Sequence, residues 1–238
     1  MKILAIDTSS MVASAAVMDE EKLVAEYIIN HKKTHSEQLM PIIEEVLESC
    51  GLNIREIDAI AVASGPGSFT GLRIGAATAK GLAHACDIKI IGVPTLDGLA
   101  FNLPYCQGII CPIMDARRNQ VYTALYKWDR GNFYKLKPHC AIALSELLED
   151  LKKREERIVF LGDGVPVHRD TIKKVLGDRA GFAPLNADRQ RASSIAELAL
   201  EALKRGEGQS GDVFVPFYLR KSQAEREYDK KHKPEDTE

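Results

Sequence analysis

Two aspartates stand where chemistry would need them. Asp7 ends the apolar run Ile3-Leu4-Ala5-Ile6, and Asp115 ends a second run, Ile109 to Met114. Acidic residues that close equivalent strands can face one cleft and hold a magnesium ion on nucleotide phosphates. The same side chains can equally cap their own turns by accepting backbone amides. A third carboxylate, in Gly162-Asp163-Gly164, follows another apolar run and suits either an adenosine pocket or a tight turn. These five residues would form at most a vestigial nucleotide pocket. Between them lies Ser64-Gly65-Pro66-Gly67-Ser68-Phe69-Thr70-Gly71-Leu72-Arg73-Ile74-Gly75, which follows the apolar run Ile57 to Ala63. Glycine and proline turn the chain sharply into a helix there, and Ser68 or Thr70 can cap its first amides. Such an opening can hold an anion. The Lys-Ser/Thr ending of a phosphate loop and the spacing of a dinucleotide fingerprint are both absent, so a packing turn is favoured.

Other chemistries find less support. His31 and His35 are four apart, as two metal ligands on one helical face would be. Thr34 and Glu37 have the spacing of a capping box, however, which places His31 outside that helix, and Lys32 and Lys33 between the histidines disfavour a cation. There is no Gly-x-Ser-x-Gly elbow. Asp115-Ala116-Arg117-Arg118 can point arginines at a phosphate or simply into solvent. Five cysteines are odd in number and scattered, with no Cys-x-x-Cys pair, which fits a reduced, cytoplasmic protein. None of these patterns by itself marks a catalytic residue, a metal site or a cofactor site.

The elements that must position these residues come twice. Met1 to Ile6, Ala13 to Met18 and Leu23 to Ile29 read as a three-strand meander. A helix follows from Thr34, with Leu39, Ile42, Ile43, Val46, Leu47 and Cys50 at helical intervals and Gly51 at its end. Next come the strand Ile57 to Ala63, a helix to about Cys86, the strand Ile88 to Val93, and a short helix from Leu96 to Leu103. The pattern then restarts with strands at Ile109 to Met114, Gln120 to Lys127 and Phe133 to Leu136, a helix from Ser145, and a strand at Arg157 to Leu161. Ala192 to Leu203 is a late helix, and Val213 to Tyr218 is apolar enough to dock on the body. Repetition on this scale predicts a duplicated α/β unit. The expected lobes are residues 1–104 and 105–220, followed by a polar, disordered tail at 221–238.

The 238 residues are 45% hydrophobic and 28% charged, with a formal net charge of -2. That suits a soluble globular protein and gives no overall electrostatic reason for autonomous nucleic-acid binding. No apolar run reaches the length of a membrane span. The start meets Asp7 too early for the apolar region of a signal peptide, which predicts that the chain is not exported.

Several stretches resemble one family. Ile3-Leu4-Ala5-Ile6-Asp7-Thr8-Ser9, His35-Ser36-Glu37-Gln38-Leu39-Met40-Pro41, the glycine-rich run Gly65 to Gly75, Gly92-Val93-Pro94-Thr95-Leu96, Asp115-Ala116-Arg117 and Pro216-Phe217-Tyr218-Leu219-Arg220 are all similar to TsaB, also called YeaZ. The resemblance runs in order along nearly the whole chain. It implies an actin/hsp70/sugar-kinase (ASKHA-like) fold of two duplicated lobes. It also implies a non-catalytic partner of the paralogue TsaD, which forms threonylcarbamoyladenosine beside the anticodon of tRNAs reading ANN codons, with the ATPase TsaE completing the assembly. Contact with tRNA would be indirect. The TsaD pattern Gly-Val-Asn-His-x-x-x-His, which holds its metal, is replaced here by Gly92 to Leu99, with Thr95 and Leu99 at the histidine positions. A leucine cannot ligate a metal. The resemblance further implies a partner face on the two helices of the first lobe, expected at Leu39, Met40, Ile43 and Leu47 and at Leu72, Gly75, Ala76, Ala79 and Ala83. The same face would form a homodimer when TsaD is absent. Two rival functions remain from the residues: an ATP-dependent phosphotransferase of the same fold, and a glycoprotease-like metallopeptidase.

Overall fold

In the computed structural model, residues 1–31 and 34–220 are described; the expected tail at 221–238 lies outside them. The first half runs β1 (Lys2–Asp7), β2 (Ala13–Asp19), β3 (Leu23–Ile29), α1 (His35–Ser49), β4 (Ala59–Gly65), α2 (Phe69–Cys86), β5 (Lys89–Pro94) and α3 (Thr95–Phe101). The second half runs β6 (Ile109–Asp115), β7 (Gln120–Asp129), β8 (Asn132–Ala143), α4 (Leu144–Lys152), β9 (Ile158–Leu161), α5 (Val165–Leu176), β10 (Ala180–Phe182) and α6 (Ala192–Lys204). Each half builds a five-stranded sheet, ordered β3-β2-β1-β4-β5 and β8-β7-β6-β9-β10. The meander strands pair antiparallel and the others parallel, and every pairing in the first sheet has its counterpart in the second. The duplicated α/β unit expected from the sequence is therefore present.

Strands β1 and β4 are buried almost throughout because the first sheet is covered on both faces. On one face Leu4, Ile6, Ile60 and Val62 pack with Leu39, Ile43 and Val46 of α1 and Ala79 of α2. On the other, Ile3, Ala5, Ala61 and Val93 pack with Ile195, Ala199 and Leu200 of α6. The last helix of the second half thus crosses back to close the first lobe's core. Glu26 on β3 fixes it there, accepting the Ser193 amide at 2.9 Å and pairing with the Arg191 guanidinium. A division of the chain at 104/105 leaves 192–204 in the second unit by sequence, although its apolar face lies on the first sheet.

Three segments differ from the sequence expectation. Strand β8 extends to Ala143 rather than ending at Leu136. Helix α5 and the short β10 occupy a stretch for which the sequence suggests no element. Helix α5 buries only Val165, His168, Ile172 and Leu176 among charged neighbours, so its apolar stripe is thin. The segment Val213 to Tyr218 does dock: Phe214 enters the core and Tyr218 lies on Phe69, ring centroids 4.9 Å apart. Phe214 is 2% exposed in the first lobe's core, while Val213 and Val215 face out. The Phe217 amide donates to the Ser64 carbonyl at 2.6 Å and Gln209 bridges to Ile90 of β5.

Candidate functional site

A cleft of about 830 Å³ opens where turns of both halves meet. Its walls are the β1–β2 turn (Ser9 to Met11), the start of α1 (Thr34 to Ser36), the glycine-rich turn, the β6–β7 turn (Asp115 to Arg117), Asp163 and the segment Phe217 to Arg220. The turns lie together because the parallel strands β1, β4, β6 and β9 end there, the usual place for a ligand in an open α/β sheet.

Each carboxylate expected in a nucleotide pocket has a local task. Asp7 is 1% exposed, and its Oδ1 accepts both the Ser9 amide at 2.8 Å and the Ser9 hydroxyl at 2.6 Å. Burial pushes its carboxyl up to about 6 against the opposing pull of those two bonds. Asp115 Oδ1 accepts the Arg117 amide at 2.9 Å, and its own amide donates to Asp163 Oδ1 at 3.2 Å. Burial raises the Asp163 carboxyl as well, opposed by that amide and by Arg189. Asp115 and Asp163 therefore meet in the cleft, whereas Asp7 is held within its own turn. Gly162 and Gly164 press against the Ile113 carbonyl, where an added Cβ would collide.

The glycine-rich turn is packed tightly on β1. An added Cβ at Gly67 would fall on the Ser9 carbonyl oxygen, and one at Gly71 on the Thr8 carbonyl oxygen. Ser68 caps α2 by accepting the Gly71 amide at 3.2 Å, and the Ser68 amide donates to Ser9 O at 2.7 Å. Two amides that a phosphate would use are thus already engaged, which agrees with a packing turn. The histidine pair is not assembled as a ligand set. His35 Nε2 lies 2.7 Å from the Ser10 carbonyl oxygen, and His31 is exposed ahead of the helix. Among the described residues no group of three or more His, Cys, Asp or Glu could hold a metal.

On α3, Thr95 is fully buried and its hydroxyl accepts the Gly65 amide at 3.2 Å. Leu99, one turn on, is 1% exposed and packs where a Gly162 Cβ would be 3.1 Å away. Neither side chain reaches solvent.

Most of the residues expected on the partner face turn inward. Leu39, Ile43 and Leu47 of α1, and Leu72, Gly75, Ala76, Ala79 and Ala83 of α2, are buried. The small residues of α2 let the helix lie close to the protein's own sheet; an added Cβ on Gly75 would be 2.5 Å from Thr8 Oγ1. Only Met40, at 49% exposure, points outward. The outer surface of the adjacent helices instead presents Met40, Pro41 and Glu44 of α1 with Arg73, Ala77 and Gly81 of α2. One further cluster escaped the sequence reading. Asp97 of α3 accepts Tyr126 Oη at 2.6 Å and Lys135 Nζ at 3.0 Å, and His139 Nε2 lies 2.6 Å from it. These groups are 29 to 42 residues apart in sequence, so no local spacing announces them.

A two-lobed body of duplicated five-stranded sheets, with turns of both halves lining one cleft, defines the ASKHA-like class of α/β proteins. The family model described as "TsaD: tRNA N6-adenosine threonylcarbamoyltransferase" matches residues 22–228. The chain is 39% identical over 230 residues to the tRNA threonylcarbamoyladenosine biosynthesis protein TsaB of Bacillus subtilis, covering 96% of this chain and 98% of that one. It is 29% identical over 230 residues to the Escherichia coli protein of the same name, covering 94% and 96%. The solved structure of YeaZ from Pseudomonas aeruginosa superposes with a TM-score of 0.74 at 24% identity, over 92% of this chain and 99% of that one, and supports the fold. The chain belongs to the TsaB (YeaZ) family, within the wider TsaD-like group.

Proposed function

We propose that this chain is a non-catalytic cytoplasmic subunit that binds TsaD and supports threonylcarbamoyladenosine formation on tRNAs reading ANN codons, with TsaE joining the assembly. The observation that carries this reading is the state of Thr95 and Leu99. The threonine hydroxyl is engaged by the Gly65 amide and the leucine fills space beside Gly162. A metal would find neither a free ligand nor an open coordination position there. The carboxylates a phosphotransferase would need for magnesium are likewise engaged by backbone amides and a serine.

The partner face is assigned to the outer surface of α1 and α2. Met40 at its centre offers an adaptable apolar contact, and Glu44 and Arg73 supply charge at its edge. The same surface pairs with a second copy when TsaD is absent. Met40→Glu and Ala77→Glu test this, because both side chains are exposed and the changes leave the core intact. In co-purification with the cognate TsaD, the wild type is expected to be retained. Each variant should lose about tenfold or more in affinity, with an unaltered thermal melt. Failure of the wild type to retain TsaD would sink the assignment. Tight magnesium-dependent ATP binding by the isolated chain would favour the phosphotransferase instead.

A further inference from the structure

We infer that the free edge of β3, with the groove between β3 and α1, is a docking site for an extended peptide strand that alternates cationic with apolar side chains. The two sheets have four edge strands, β3 and β5 in the first and β8 and β10 in the second. Three of them are protected. Gln209 exchanges two main-chain hydrogen bonds with Ile90 of β5. Strand β10 is only three residues long. Strand β8 carries Lys135, Lys137 and Pro138, and its pairing with β7 slips twice. Shortness, lysine, proline and bulges are the usual devices that keep an edge from recruiting another chain. Strand β3, Leu23-Val24-Ala25-Glu26-Tyr27-Ile28-Ile29, has no lysine, arginine or proline, and its one irregularity lies near its start, at Val24. Its one charge, Glu26, is turned onto Arg191 and the Ser193 amide. Among the described residues β3 makes no main-chain hydrogen bond beyond its ladder with β2. Leu23, Val24 and Ile28 are 41%, 37% and 44% exposed along it.

The two sides of this edge differ, and the difference selects the occupant. Tyr27 and Ile29 face α1, where they line a groove of about 580 Å³ with Glu37, Pro41, Ile42 and Glu45. Both carboxylates belong to a helix with four glutamates and no lysine or arginine. None of the four forms an ion pair among the described residues. Leu23 and Ile28 lie on the other side, with Glu26: Leu23 is in register with Met18 of the α6-facing core, and Glu26 accepts the Ser193 amide. Successive residues of a strand laid on this edge therefore meet carboxylates and exposed aliphatic side chains in turn. Main-chain pairing supplies the affinity of such a complex, and the alternate side chains supply its specificity. A second copy of this chain fits worse. Antiparallel pairing of β3 with itself keeps both α1 helices on one side of the joined sheet and brings their glutamates toward each other, with no lysine or arginine on either helix to offset them.

The test is fluorescence anisotropy of a short labelled peptide alternating lysine and valine, titrated with the full-length chain. Two further peptides are N-methylated, one at its lysines and the other at its valines, so that only one of them loses the amides that face β3. The wild type is expected to bind the parent peptide and one methylated peptide, and to bind the other about tenfold or more weakly. Glu45→Lys and Ile28→Lys, both at exposed side chains, should each weaken the parent peptide by about fivefold or more with an unaltered thermal melt. Glu156→Lys, on the second lobe, should leave binding unchanged. No binding by the wild type, equal binding of the two methylated peptides, undiminished binding by Glu45→Lys, or equally tight binding of a glutamate–valine peptide would each overturn the inference. So would a concentration-dependent dimer in sedimentation velocity that Ile28→Lys abolishes, because the edge would then belong to a second copy.

Discussion

At Asp7 a carboxylate is kept where solvation is poorest. Its proton is held up to about pH 6 in the folded protein, against about 3.9 in an unfolded chain. Stability from the neutral form is complete below about pH 4 and is lost as pH rises through 6, because the folded state alone binds the proton in that window. Above it the buried charge costs roughly 3 kcal/mol at most. Asp7→Asn keeps an oxygen for both Ser9 bonds and removes the charge. Urea unfolding should therefore show the variant about 1–3 kcal/mol more stable near pH 8, with the gain gone near pH 4. An equal gain at both pH values would refute the account. Asp7 was legible as a strand-ending acid; its burial was not, since that depends on the glycine-rich turn closing over Thr8 and Ser9.

Polar contacts also join elements here. Asp97 ties α3 to β7 and β8 through Tyr126, Lys135 and His139. Although burial opposes it, hydrogen bonds from His139, Tyr126 and Lys135 hold its carboxyl below the usual range. The stabilisation is thus present above about pH 4 and lost as pH falls below it. Asp97→Ala removes the acceptor that the Tyr126 hydroxyl, His139 and Lys135 share; Tyr126 and His139 keep only each other, 3.1 Å apart, in a half-buried site, whereas Lys135, at 35% exposure, can still reach solvent. A loss of about 2–4 kcal/mol in chemical denaturation at neutral pH is expected. A loss under about 0.5 kcal/mol would show that the network is solvated rather than buried.

For the molecule as a whole, the consequence of α6 crossing back is that the lobes do not fold independently. A fragment of residues 1–104 would expose Ile3, Ala5, Ala61 and Val93, which α6 covers in the full chain. At about 25 cal/mol per Å² such a face is too costly for a domain of marginal stability. The fragment is expected to be aggregated or to lack cooperative unfolding, and co-expression with residues 105–220 should restore a soluble pair. A cooperative melt by the isolated fragment would contradict this.

The sequence by itself determined the duplication, because apolar periodicity and turn residues are local and each half carries the same series. It also specified the two helices of the first lobe, through the Thr34 and Ser68 caps and the apolar stripe from Leu39 to Cys50. Tertiary structure alone decided which side of those helices is free. Helical spacing marks an apolar stripe without saying whether a sheet or a partner covers it, and here the sheet takes Leu39, Ile43, Leu72 and Ala79. It likewise decided that α6 serves the first lobe, that Phe214 fills its core, and that Asp97 meets His139. Each of these contacts joins residues far apart in the chain, whose approach is set by packing rather than by neighbouring sequence.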